Sequence, residues 1–173
     1  MSYSDKGLSS KLSDTDKAYL AGLFDGEGCI NATFGTKKWI AKTGKEKIYL
    51  FPRIQFVISS KENLLLELVK TIVGFGEVYG EKMYGYRITE RKQILDIVDA
   101  LIPFVKLKKK GLQLSKEAVL FLLNRKYRSG WTKGELVFFR EKFVLPIQKL
   151  LPSGERRGRP PKHKFHEIIS KYY

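Results

Sequence analysis

Two carboxylates set between glycines, Asp25-Gly26-Glu27-Gly28, end an apolar run that begins at Leu20. On a helix over about residues 15–27 both acids fall at the C-terminus. That is the negative pole of the helix dipole, where each exposed acid costs roughly 0.3–1 kcal/mol. The glycines beside them let another backbone or a ligand come close. Acids held against the dipole, above all when two such helix ends meet, repel one another, and a divalent cation relieves the conflict. Hard oxygen donors select Mg²⁺ or a similar ion over zinc. The remaining composition agrees, because Cys29 is the one cysteine and His163 and His166 are the two histidines. No internal disulfide, cysteine-based zinc centre or histidine-rich metal site can form from these. A second chemical cluster, Lys106-Leu107-Lys108-Lys109-Lys110, is suited to phosphate.

The charge of the whole chain points the same way. Its 33 Lys and Arg against 18 Asp and Glu give a net charge of +15 and a sequence pI of about 9.8 over 173 residues. Such an excess suits phosphate polyanions or an anionic membrane surface. No stretch approaches the ~20 apolar residues that a membrane-spanning helix needs, and the N-terminus has no hydrophobic signal core. The expectation is an intracellular protein, and 43% hydrophobic content is enough for a packed core.

The elements that position these groups follow from periodicity and caps. Ser13-Asp14-Thr15-Asp16 is a capping signal before the first helix, about 15–27. Ala18, Gly22 and Gly26 form a flat stripe along it at i, i+4 and i+8, suited to packing on the chain's own sheet or on a partner helix. Alternation predicts strands over 29–37 and 47–58, with Pro52 at a bulge or on an edge. Ser59-Ser60-Lys61-Glu62 reads as a capping box for a helix ending near 73. Short strands follow at 76–80 and 84–89, then a helix at 90–102 that Pro103 breaks. A lysine-led helix comes next, then a long one over 133–151 capped by Thr132 and Glu135, and a basic Pro/Gly tail. Hairpin connections make the fold class α+β: an αββαββα core with a four-stranded antiparallel sheet, helices on one face, plus C-terminal helices. The division expected is an arm at 1–12, a domain at 13–151 and an extension at 152–173.

Leu20-Ala21-Gly22-Leu23-Phe24-Asp25-Gly26-Glu27-Gly28 resembles the nine-residue motif that names the LAGLIDADG homing endonucleases, with Glu for Asp at the eighth position. The αββαββα order, the segment IVGFGEVYG and Leu101-Ile102-Pro103-Phe104-Val105-Lys106-Leu107-Lys108 are similar to single-motif members, so the resemblance covers about residues 13–127. It implies that Glu27 binds the metal together with the Gly26 carbonyl, with Mg²⁺ or Mn²⁺ as the active ion and Ca²⁺ as a non-catalytic substitute. It implies a lysine near the reacting phosphate, here Lys108, for which plain phosphate binding is the other reading. A polar residue after the second strand is implied too; Ile58 cannot serve, which leaves Ser59 or Lys61. Asp25 is read as a structural acid that hydrogen-bonds near the helix end.

By the same resemblance the chain is an intron-encoded endonuclease that makes metal-dependent double-strand cuts. One motif per chain implies a homodimer joined through Ala18, Gly22 and Gly26, and a near-palindromic double-stranded DNA site. The alternatives are an intron maturase that binds RNA and a non-cleaving DNA-binding regulator. The open sheet face offers Asn31, Thr33, Tyr49, Arg53, Gln55, Tyr79 and Arg87 as side chains suited to base edges. Lys37, Lys106 and Lys109 suit backbone phosphates. In the tail, Arg157 and Arg159 belong to an Arg-Gly-Arg-Pro strip that fits a minor groove, or to a linker that only touches phosphates.

Overall fold

The computed structural model describes residue 8 and residues 11–40, 44–125, 130–150 and 165–173. α1 (Asp14–Glu27) starts where Ser13 accepts a hydrogen bond from the Asp16 amide, as the capping signal predicts. It ends at Gly28, whose N–H donates to the Phe24 carbonyl. A Cβ at position 28 would overlap the Phe24 ring and carbonyl, so glycine lets β1 (Gly28–Ile40) leave the helix directly. β2 (Glu46–Ser60) follows, then α2 (Asn63–Val73), β3 (Glu77–Tyr79), β4 (Tyr84–Ile88) and α3 (Arg91–Leu101). The sheet order is β1-β2-β4-β3, and β4 pairs antiparallel with both neighbours, Ile88 opposite Phe56 and Tyr86 opposite Val78. The αββαββα order is therefore as expected. α4 (Lys109–Leu123), α5 (Lys133–Phe139), α6 (Leu145–Leu150) and α7 (Phe165–Tyr172) complete the chain.

Two local expectations change. The Ser59–Glu62 capping box does not form: Glu62 is the N-cap of α2 and makes no side-chain cap bond. β2 runs on through Ser60, so Ser59 is still in the strand, and Ser60 instead takes the Glu62 amide at 2.9 Å. The long last helix is interrupted by a π-helical turn over Arg140–Val144. One extra residue per turn there keeps Phe139, Phe143, Val144 and Ile147 all buried. Pro52 lies in the stretch of β2 that does not pair with β4, although β2 is an inner strand of the sheet. β2 meets β4 only from Phe56 to Ser60, and Leu50, two residues from Pro52 on the same row, gives its amide to the Tyr173 hydroxyl at 3.2 Å.

The chain forms two compact units. The first comprises Met1–Asn31 and Ile54–Asn124. In it, α1 turns Leu20, Ala21 and Phe24 inward, and the Phe24 ring stacks on Phe56 of β2 at a centroid distance of 4.8 Å. Leu66 and Val69 of α2, Ile94, Ile97 and Leu101 of α3, and Leu112 and Val119 of α4 fill the same core. Tyr86 is fully buried, and its hydroxyl donates to the Phe75 carbonyl at 2.8 Å.

The second unit comprises Ala32–Arg53 and Arg125–Tyr173. Ile48 and Leu50 of β2 pack with Leu136 of α5 and with Ile168 and Ile169 of α7. Arg125 braces it: Nε meets Glu135 Oε1 at 2.9 Å, Nη2 donates to the Gly130 carbonyl at 2.7 Å, and the guanidinium lies 3.9 Å from the Trp131 ring centroid. The predicted box between Thr132 and Glu135 is formed.

The Arg125 hydrogen bond, helped by Thr132 and opposed by partial burial, holds the Glu135 carboxyl down at about 2 against an ordinary 4.5. An acid lowered in the folded state stabilises above its unfolded value, and that contribution is lost as pH falls from about 4.5 to about 2. Glu135→Gln is expected to flatten the fall in urea midpoint across this window. Parallel curves for variant and wild type would show that Glu135 is not responsible.

Candidate active site

The end of α1 gathers groups from two distant stretches of the first unit. Asp25 accepts three backbone amides: Lys106 at 2.8 Å, Lys108 at 2.9 Å and Leu107 at 3.2 Å. Its carboxylate thereby fixes the 106–108 loop just ahead of α4. Partial burial pushes its pKa up, but those amides and the Lys108 charge outweigh this and keep it below the usual carboxylate value. The loop in turn aims the Lys108 side chain at α1, where Nζ donates to the carbonyls of Phe24 at 3.2 Å, Gly26 at 3.1 Å and Gly28 at 2.7 Å. An ammonium on carbonyls gathered at a helix C-terminus is a favourable pairing with the dipole.

Glu27, the last residue of α1, stands exposed beside this cluster. Asp25→Ala, which strands three amides, is expected to lower stability by about 2 kcal/mol in urea denaturation. An unchanged midpoint would contradict its structural assignment.

Glu27 adds a hard carboxylate oxygen next to the Gly26 carbonyl, a donor pair that suits a divalent ion; such an ion would share or displace the Lys108 ammonium that the Gly26 carbonyl accepts from. Among the described residues no group of three or more His, Cys, Asp or Glu could hold a metal within one chain. Burial pushes the Cys29 thiol up, opposed by the Lys108 charge, which disfavours the thiolate.

The stripe residues Ala18, Gly22 and Gly26 are all exposed, and a Cβ at Gly22 or Gly26 would meet nothing within 4 Å. Of the two packings open to the stripe, the chain's own sheet is the one not used: α1 buries its opposite side. Ser59 sits half-buried on β2, opposite Gly85 of β4, and among the described residues no hydrogen bond joins it to Glu27 or Lys108.

The base-edge candidates divide between the units. Asn31, Gln55, Tyr79 and Arg87 belong to the first; Thr33, Tyr49 and Arg53 to the second, with Lys37. Asn31, Lys37, Tyr49, Arg53, Tyr79, Lys106 and Lys109 are exposed, whereas Thr33, Gln55 and Arg87 are half-buried. Arg87 is already engaged, bonded to Glu77 at 2.8 Å and stacked 4.6 Å from the Tyr79 ring centroid. Arg157 and Arg159 lie outside the described residues. The sequence reading did not anticipate that the charge is segregated. The second unit's segments carry 19 Lys and Arg against 5 Asp and Glu, the first unit's 14 against 13, so nearly all the net charge sits in one of them.

A capped helix bearing Asp25 and Glu27 at its end, a four-stranded antiparallel sheet and a lysine returned to the helix terminus are the features to be compared with known proteins. The family model "LAGLIDADG endonuclease" matches residues 20–119, and the chain belongs to that family. Among solved structures it is similar to the homing endonuclease I-CvuI in complex with its target, at 19% identity and TM-score 0.69, covering 92% of each chain. The archaeal intron-encoded homing endonuclease I-Vdi141I, complexed with DNA, is similar at 18% identity and TM-score 0.63, covering 91% of this chain and 94% of its own. A third, the homing endonuclease I-TnaI, aligns at 18% identity and TM-score 0.59 over 78% of this chain and 95% of that one. No curated protein matches the sequence.

Proposed function

We propose that this chain is a site-specific homing endonuclease that acts as a homodimer on a long, near-palindromic duplex and cuts both strands with the help of a divalent metal. The observation that carries the reading is the end of α1: an exposed Glu27 beside carbonyls already gathered around a cation, on a helix whose small-residue face is open. Two copies meeting along Ala18, Gly22 and Gly26 would bring two Glu27 carboxylates together. Glu27 and the Gly26 carbonyl would hold Mg²⁺ or Mn²⁺; such an ion, when bound, supplies an acidified water and a polarised phosphate. I-CvuI was solved on its target with 2 mM Ca, and the same ion would support binding without cutting here.

Lys108 would place a fixed positive charge beside the reacting phosphate, and Ser59 would orient water. Asp25 holds the loop that carries Lys108. Exposed lysines such as Lys37, Lys106 and Lys109 would neutralise phosphates, and the sheet residues would address base edges. Residues 13–151 would form the endonuclease domain, and residues 152–173 an extension whose last helix closes the second unit's core. No helix among the described residues is long and apolar enough to cross a membrane, which suits a DNA-associated protein inside the cell.

The test is incubation of the full chain with Mg²⁺ and the intron-free form of the gene that carries it. The expected product is one double-strand break with short 3′ overhangs. Tight binding without a break would make the protein a DNA-binding regulator, and assistance to RNA splicing alone would make it a maturase.

A further inference from the structure

Within the second unit one residue of β2 is out of character with the polar face it occupies. Lys47, Tyr49, Phe51 and Arg53 alternate onto one exposed face of the strand, and Phe51 leaves 36% of its surface open. The ring is not loose. It lies across Gly35 of β1, where a Cβ would fall 2.3 Å from Phe51 Cζ and 2.9 Å from Arg53 Cδ. Glycine at 35 therefore leaves room for the ring against the neighbouring strand, with the Arg53 stem alongside.

We propose that Phe51 is a base-reading residue and that the group it recognises is the C5-methyl of thymine. The proposal rests on the DNA-recognition reading above. An aromatic ring without a hydrogen-bonding atom cannot distinguish donors from acceptors on a base edge. The thymine methyl is the one apolar group that base pairs present in the major groove, so it is the group such a ring can read. The setting fits this partner: the ring stands between a lysine, a tyrosine and an arginine, on the unit that holds nearly all the chain's net positive charge. Arg53, packed beside it, suits guanine in the same half-site. Gly35 is then a positioning residue, acting only through the ring it seats.

The experiment enriches a randomised duplex library on the full-length protein in Ca²⁺. The enriched sequence is then resynthesised with each thymine replaced singly by deoxyuridine, which removes only the methyl. The wild type is expected to lose about four-fold in affinity, the worth of one buried methyl, at one thymine in each half-site. Phe51→Ala should bind the thymine and uracil duplexes equally there, and Gly35→Ala, which displaces the ring without deleting it, should do the same. Arg53→Ala should keep the methyl discrimination while losing preference at a guanine. Enrichment with no thymine that distinguishes wild type from Phe51→Ala would overturn the assignment. A library that fails to enrich at all would instead overturn the reading of this protein as a DNA binder, and the proposal with it.

Discussion

Glu27→Gln is expected to leave duplex binding close to wild type while reducing double-strand cleavage on the order of 10³-fold or more. The substitution keeps the size and shape of the side chain and removes its charge. On the proposed reading binding is carried elsewhere: the segments of the second unit hold 19 of the 33 basic residues, and Glu27 belongs to the first unit. Glu27 is exposed at the end of α1, so its loss strands no buried partner and costs little stability. The proposed chemistry, by contrast, needs a hard anionic oxygen to hold an ion where charge develops, and such electrostatic contributions are among the largest in catalysis. Gel-shift affinity in Ca²⁺ and cleavage rate in Mg²⁺, measured on one preparation, separate the two. Equal loss of both would show Glu27 to be structural.

If the proposed homodimer is joined along the stripe, Gly22→Leu is expected to convert it to a monomer in analytical ultracentrifugation, raising the dissociation constant by about 100-fold or more. Overfilling a close contact costs about 1–3 kcal/mol, and a two-fold interface counts it twice. The same substitution should leave the monomer intact. A Cβ at position 22 meets nothing within 4 Å, and leucine in a helix interior is favoured over glycine by roughly 0.8 kcal/mol. A variant at least as stable to heat, yet monomeric and unable to make double-strand breaks, is the distinctive outcome. A dimer that persists unchanged would remove the stripe from the interface.

What could be read from the sequence was what depends on neighbours along the chain. Ser13 and Thr132 cap their helices as spaced, and the alternation of Ile54, Phe56 and Ile58 puts the buried face of β2 where expected. The pairing of Glu27 with the Gly26 carbonyl came from the resemblance of the motif, and it stands as a proposal. Features that depend on distant partners were not legible. Asp25 was recognisable as structural, but nothing nearby in sequence says that its oxygens take the amides of residues 106–108. The Ser59–Glu62 box failed because a capping pattern does not reveal whether the preceding strand has ended; pairing with β4 carries β2 through Ser60. The π-helical turn answers a packing demand among Phe139, Phe143 and Ile147 that periodicity alone cannot register. The seat of Phe51 on Gly35 arises between two strands, so neither strand announces it.

The ammonium that completes the end of α1 comes from a residue 82 positions after Gly26. A chain still leaving the ribosome thus displays its acidic motif long before the lysine exists, and the Asp25 tether cannot form before residues 106–108 have been made. On the function proposed here, an unfinished or proteolysed protein would be a harmless one. An enzyme of that kind would be armed only by the completed fold of its first unit, a safeguard that needs no inhibitor.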